Sequence, residues 1–208
     1  MVSCKELRNR ARETLDHKVF GKTWLFSVLA VLIFGASLGV ATAVGTILPV
    51  VGNIAAFLAA SGPLMVGLAT FFLNMFYRTK KKSNLLELFM TFTKPKNYFL
   101  GVFMFLFIGL WSLLFIIPGI IKAFSYSLAP FIKAQNPNMT SLEAIGESKR
   151  LMEGNKAKLF KLMLSFIGWI ALCTLPVVGW CLIPWVGSYI LSALTEFYEE
   201  IKANDTYI

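Results

Sequence analysis

Hydrophobic positions in this chain fall in long unbroken runs. No Asp, Glu, Lys or Arg lies between Lys22 and Arg78, a gap of 55 residues; the stretch from Lys96 to Lys122 adds 25 more, and that from Lys161 to Glu196 another 34. A helix of about 20 apolar residues spans a bilayer core of roughly 30 Å. Membrane barrel strands alternate polar and apolar positions, whereas these runs are apolar all round, so helices are predicted.

The breaks within the runs divide them. Thr46-Ile47-Leu48-Pro49-Val50-Val51-Gly52-Asn53 interrupts the first run and predicts spans near 24–45 and 54–76. Ser61-Gly62-Pro63 in the second predicts a kink and close approach of a neighbour. As one helix, 97–133 would be about 55 Å long at 1.5 Å per residue, too long for one crossing. Pro118-Gly119 divides it into 98–117 and 119–133, both short enough to need a locally thin bilayer or an incomplete crossing. Thr174–Gly179 divides the last run into 157–174 and 180–200. The expected fold is all-α and integral to the membrane: six transmembrane helices as three hairpins, in one membrane domain over 1–208. Its parts are a basic amphipathic leader (1–23), hairpin 1 (24–76), an interfacial helix with hairpin 2 (83–133), and a cytoplasmic helix with hairpin 3 (139–202).

Charge supplies the orientation. In a six-span arrangement one side holds Lys5, Arg8, Arg10, Arg12, Lys18, Lys22, Arg78, Lys80, Lys81, Lys82, Lys94, Lys96, Lys133, Lys149, Arg150, Lys156, Lys158, Lys161 and Lys202. Only Lys122 lies near the other side. The excess of basic residues marks the cytoplasmic face, so both termini are expected inside. Composition agrees: at 57% hydrophobic and 15% charged, a chain of 208 residues cannot cover its apolar surface as a soluble domain. The net charge of +9 follows from the inside loops and is a poor reason to expect nucleic-acid binding. Ala41-Thr42-Ala43 resembles a signal-peptide cleavage site, but the charged lead is long and the apolar run continues past it, so an uncleaved first span is expected.

The hairpins share one plan: a basic amphipathic segment, an ascending helix, a Pro/Gly turn, a descending helix. Leu-Pro-Val-Val-Gly stands at 48–52 and again at 175–179, with Ile117-Pro118-Gly119 as the middle version. In the leading segments, Leu7, Ala11 and Leu15 fall four apart. Asn84 and Glu87 form a candidate capping box ahead of Leu85, Leu88, Phe89 and Phe92, and Thr140 and Glu143 form another ahead of Leu142, Ile145 and Met152. Such stripes suit helices lying on an anionic inner leaflet, or equally caps packed beneath the bundle.

Catalytic chemistry is hard to find. The one histidine, His17, sits in the leader, and the eleven carboxylates map to the cytoplasmic side or inner helix ends. Zinc-protease, serine-nucleophile and phosphate-cradling motifs are absent, no cysteine pair has metal-ligand spacing, and no cofactor is expected. Cys4 is cytoplasmic in this reading. Cys173 and Cys181 flank a turn, where small apolar residues at a helix contact are more expected than a disulfide. Trp24, Trp111, Trp169, Trp180 and Trp185 fit aromatic belts and packing. Lys122 stands apart. Either it snorkels to the outer headgroups, or with Ser125, Tyr126 and Ser127 nearby it forms an anion or headgroup site.

Several segments carry a resemblance. Leu110-Trp111-Ser112-Leu113-Leu114-Phe115-Ile116-Ile117-Pro118-Gly119-Ile120-Ile121-Lys122 resembles the central motif of domain-of-unknown-function family 975. So do Glu143-Ala144-Ile145 with Ser148-Lys149, Met152-Glu153-Gly154-Asn155-Lys156, and Leu159-Phe160-Lys161-Leu162 leading into Leu164-Ser165-Phe166-Ile167-Gly168-Trp169. Gly62-Pro63-Leu64, Ala193 and Phe197-Tyr198 fit as well, while Pro184-Trp185 departs from an expected Pro-Tyr. The resemblance implies a bacterial multi-pass protein of the cytoplasmic membrane. The family is also distantly similar to the membrane domain of some glycerophosphodiester phosphodiesterases, which is not their catalytic part, so no active site is implied. The expectation is a non-enzymatic protein that organises membrane lipids, anionic inner-leaflet headgroups, a protein partner or a second copy of itself. The motif-rich helix 140–158, through Glu143, Ser148, Lys149, Met152 and Lys156, is the expected partner surface. The alternative is a small oligomeric transporter, channel or lipid-moving protein, suggested by the broken helices; a membrane enzyme comes third.

Overall fold

A computed structural model describes residues 3–15, 22–45, 50–77, 85–114, 116–174 and 178–206. The described elements are helical throughout: α1 (Cys4–Thr14), α2 (Lys22–Gly45), α3 (Val50–Phe76), α4 (Glu87–Met90), a 3-10 turn (Thr91–Thr93), α5 (Pro95–Leu114), α6 (Ile116–Tyr126), α7 (Ala129–Gln135), α8 (Ser141–Leu151), α9 (Lys156–Leu164), α10 (Ile167–Cys173) and α11 (Val178–Thr206). Three of them are long and apolar enough to cross a membrane, over Thr23–Val40, Ile54–Phe76 and Pro95–Leu113. At 1.5 Å per residue the 11 residues of α6 reach about 16 Å, and α7, α9 and α10 are shorter still, so none of these crosses alone. The first 18 residues of α11 carry no Asp, Glu, Lys or Arg.

α2 packs on α3, α5 on α6, and α10 on α11, and the short helices α1, α4 and α8 precede them in turn. Helix α3 is the hub, touching α2, α4, α5, α7 and α11. Its C-terminal half is buried on almost every side at Leu64, Val66, Leu68, Ala69, Phe71, Phe72, Leu73 and Met75. A helix apolar all round belongs in an interior, and here that interior is made by the surrounding helices. The outer parts of the molecule are coated instead with exposed apolar side chains. These include Phe26, Leu29 and Leu32 on α2, Leu106, Leu110 and Leu113 on α5, and Ile167 and Ile170 on α10. A monomer facing water rarely exposes such a coat.

Local sequence sets the junctions. Pro63 lies inside α3, which runs on through it. The close approach expected there is real: α3 and α5 cross where Gly62 meets Gly101, and a Cβ on Gly62 would lie 2.2 Å from the Asn97 carbonyl oxygen and 2.8 Å from the Gly101 nitrogen. The division expected at Pro118-Gly119 falls earlier. α5 ends at Leu114 and α6 starts at Ile116, so Pro118 sits in the first turn of a helix, where its missing N–H costs nothing. The segment 119–133 is accordingly not one helix but the end of α6 followed by α7, and 157–174 is split at Ser165-Phe166 into α9 and α10.

Gly119 instead allows the turn to close, since a Cβ there would meet Ser112 Oγ at 2.1 Å. Gly179 does the same in the third hairpin, where a Cβ would meet the Cys173 carbonyl oxygen at 2.0 Å. The repeated Pro/Gly turn thus has a packing reason in two hairpins. Residues 48–49 and 175–177 of the repeated pentapeptide lie outside the described residues, as do His17, Asn84 and the side chains of Asn53, Glu87, Trp180 and Cys181. Cys4 and Cys173 are free thiols.

The leading segments pack as caps. In α1 the expected Leu7, Ala11 and Leu15 are fully buried, against α11. In α8 the capping box of Thr140 and Glu143 is formed, and Ala144, Ile145, Ser148 and Leu151 face inward. Gly154, at φ 79°, turns the chain from α8 into α9, a left-handed conformation that favours glycine. α4 is only four residues long, with Leu88 buried and Phe89 exposed.

Candidate functional site

A cavity of about 490 Å³ opens beside the α3–α5 crossing. Val66, Thr70 and Asn74 of α3 form one wall, Met90, Thr91 and Thr93 a second, Lys94 and Asn97 at the start of α5 a third, and Lys133, Ala134 and Pro137 a fourth. No Asp or Glu is among these residues.

The walls follow from local sequence. Lys94 precedes Pro95 and is extended (φ −101°, ψ 107°), which ends the 3-10 turn and starts α5 with proline at its first position. Thr91 Oγ1 lies 2.7 Å from the Pro63 carbonyl and 2.9 Å from that of Leu88, and donates between them. Asn97, buried, donates from Nδ2 to the Thr91 carbonyl at 2.8 Å. The turn can press against α3 because Gly67 offers no side chain; a Cβ there would sit 2.6 Å from the Leu88 carbonyl oxygen.

Lys133 is fully buried. Its ammonium donates to the carbonyls of Met139 and Pro137, the latter at 3.3 Å. Lys96 donates to the Asn138 carbonyl at 3.1 Å, and Ser141 Oγ donates to the Lys96 carbonyl at 2.6 Å. Two lysines therefore hold three successive carbonyls of one loop. Lys96, Glu143 and Lys94 are the charged groups near the Lys133 ammonium. The Lys94 ammonium makes no hydrogen bond or ion pair among the described residues.

A second constellation lies along the C-terminal half of α11. Thr14 of α1 donates to Glu196 Oε1 at 2.7 Å. Tyr77, just past α3, donates to Glu199 at 2.6 Å, and Gln135 Nε2 of α7 donates to the same carboxylate at 2.8 Å. Gln135 Oε1 accepts from Tyr198 (2.9 Å) and from Lys202 (2.5 Å). Lys158 of α9 pairs with Glu200 at 2.6 Å, and Arg150 of α8 holds both Glu147 and Asp205 through pairs of hydrogen bonds. Tyr77 is exposed as a residue, but partial desolvation of its hydroxyl first and the Glu199 carboxylate second push that hydroxyl up to about 12. One helix thus ties five others together.

The expected site residues are distributed differently. Lys122 stands over the Trp111 ring, 4.4 Å from its centroid. Tyr126 is buried against Phe107, their rings 6.2 Å apart. Ser125 donates to the Ile121 carbonyl at 2.9 Å, and its own carbonyl accepts from Ser148 Oγ at 2.8 Å. The structure therefore joins Ser125 and Ser148, one from each expected site, in a contact between α6 and α8. On α8, Ser148 and Met152 are buried while Glu143 and Lys149 are exposed. Lys156 lines a separate apolar groove with Ile117, Ile120, Ile121, Phe124 and Phe160. These five residues do not share one outward face.

The lysines of the cavity were not singled out from sequence. The available signal was Lys133, which has Ala129-Pro130-Phe131-Ile132 on one side and Ala134 on the other. Among the described residues no group of three His, Cys, Asp or Glu is placed to hold a metal ion.

Neither a search of curated proteins nor one of solved structures returns a match. The family described as "Protein of unknown function (DUF975)" matches residues 102–205, from within α5 to the end of α11. That stretch is half of the chain and contains the α6–α8 contact and most of the α11 constellation, and on it the chain belongs to this family.

Proposed function

We propose that the chain is a non-enzymatic integral protein of a bacterial cytoplasmic membrane that organises lipids or a protein partner at the inner face. The observation that carries this reading is the division of its surface. One part is coated with exposed apolar side chains on α2, α5, α6 and α10; the described basic residues other than Lys122 lie on α1, α7, α8 and α9, at the starts of α2 and α5 and at the end of α11. In this reading the three hairpins make six membrane segments with both termini inside. The broken pairs α6–α7 and α9–α10 serve as the short return and entry segments, which a thinned bilayer accommodates. The uneven distribution of Lys and Arg supports the orientation. The engagement of Glu196, Glu199, Glu200 and Asp205 in ties between helices supports the non-enzymatic role, because it leaves those carboxylates with a structural task.

The test is cysteine labelling in a background where Cys4, Cys173 and Cys181 are replaced. Val50→Cys is expected to react with an impermeant maleimide from outside intact cells, and Ser3→Cys only after the membrane is opened. Reaction of Val50→Cys solely from the cytoplasm would refute the orientation. Purification with native lipids followed by mass spectrometry then identifies what the inner face retains.

A further inference from the structure

We propose that the cavity between α3, α5 and α7 binds a phosphate-bearing anion, either a phospholipid headgroup or a free phosphate group. This deepens the reading above and rests on it only for placing the cavity at the inner headgroup layer.

Charge is the first argument. Lys94 and Lys133 line the cavity, Lys96 lies near Lys133, and no Asp or Glu is in the lining. The lining itself therefore carries positive charge alone, with Glu143 of the α8 cap as an acid near Lys133 but outside it. Burial sharpens this, because Lys133 is fully buried and a charge interaction strengthens as water is excluded. Its ammonium has three N–H donors and gives two to loop carbonyls, which fixes its position and leaves one over. Lys94 keeps all three. The N-terminal turn of the 20-residue α5, whose backbone dipole favours an anion, forms the same wall.

Shape is the second argument. A volume of about 490 Å³ lies within the range of small-ligand sites and exceeds what a lone phosphate needs. The remaining walls are mixed: Thr70, Asn74, Thr91 and Thr93 are polar, and Val66, Met90 and Ala134 apolar. A phosphate with a glycerol or acyl stem matches this mixed lining.

The experiment uses the full chain in an uncharged maltoside detergent, with thermal unfolding followed against added ligand. The ligands are inorganic phosphate, short-chain phosphatidic acid and short-chain phosphatidylcholine. Wild type is expected to show a saturable rise in Tm with phosphatidic acid and little with phosphatidylcholine. Lys94→Gln, at an exposed side chain without partners, is expected to fold normally and to bind about tenfold more weakly or worse, the loss expected when a charge-assisted hydrogen bond goes. Lys133→Met is expected to bind weakly too; if it fails to fold, Lys94→Gln alone decides. Equal responses to phosphate and phosphatidic acid identify the free group as sufficient, and a response to phosphatidic acid alone identifies the lipid headgroup. No saturable response in wild type, or an undiminished one in Lys94→Gln, overturns the site. Loss of the site with Val50→Cys still labelled from outside leaves the membrane reading intact. Binding with reversed labelling would remove only the inner-leaflet placement.

Discussion

The ammonium of Lys122 lies 4.4 Å from the centroid of the Trp111 ring, across the tight turn between α5 and α6. An aromatic face gives a cation a favourable place where carboxylates are missing, worth about 0.5–2 kcal/mol depending on desolvation. The contact gives a partner to Lys122, the basic residue that the charge pattern sets apart. It also gives the pair a structural task in closing the second hairpin, beside Gly119 and Ser112.

If that task is real, Lys122→Met and Trp111→Leu should each lower the Tm in detergent, and the double variant should lose less than the sum. Additive losses would mean that the two side chains act independently.

The glycine crossing predicts a contrast within one residue type. Gly62→Ala and Gly101→Ala should each destabilise by about 1–3 kcal/mol, as overpacking does, because the added carbon meets backbone on the opposite helix. Gly35→Ala and Gly109→Ala meet nothing within 4 Å and should be neutral or slightly stabilising through helix propensity. Chemical or thermal unfolding of the four variants side by side checks the order.

Gln135 is the centre of the inner network, and Gln135→Leu leaves the buried Tyr198 hydroxyl and the Glu199 carboxylate short of partners. A cost of about 1–3 kcal/mol follows from an unsatisfied buried group. Adding Tyr198→Phe should recover part of it, since the hydroxyl left without an acceptor is then gone. No recovery in the double variant would argue against the bond.

Much of this architecture was legible in the sequence because it rests on short-range rules. The four-residue spacing of Leu7, Ala11 and Leu15 marked a buried face, and Thr140 with Glu143 marked a helix start; both are present. Small residues at 61–63 marked a close crossing. The turn of the second hairpin was misplaced by a few residues because proline is as acceptable in the first turn of a helix as it is disruptive in the middle. The cavity was not legible, because Lys94, Asn97 and Lys133 are brought together only by the packing of α5 and α7 around α3. The reading of Glu143, Ser148, Lys149, Met152 and Lys156 as one surface missed that a helix seated beneath a bundle turns part of each motif inward.

The ties made by α11 also bear on how the chain is assembled. Translation runs from α1 toward α11, so the preceding helices are made before Glu196, Glu199, Glu200, Lys202 and Asp205 exist. Until then Thr14, Tyr77, Gln135, Arg150 and Lys158 wait without those partners. The earlier helices can therefore adjust one by one, and their packing is latched only when α11 emerges from the ribosome.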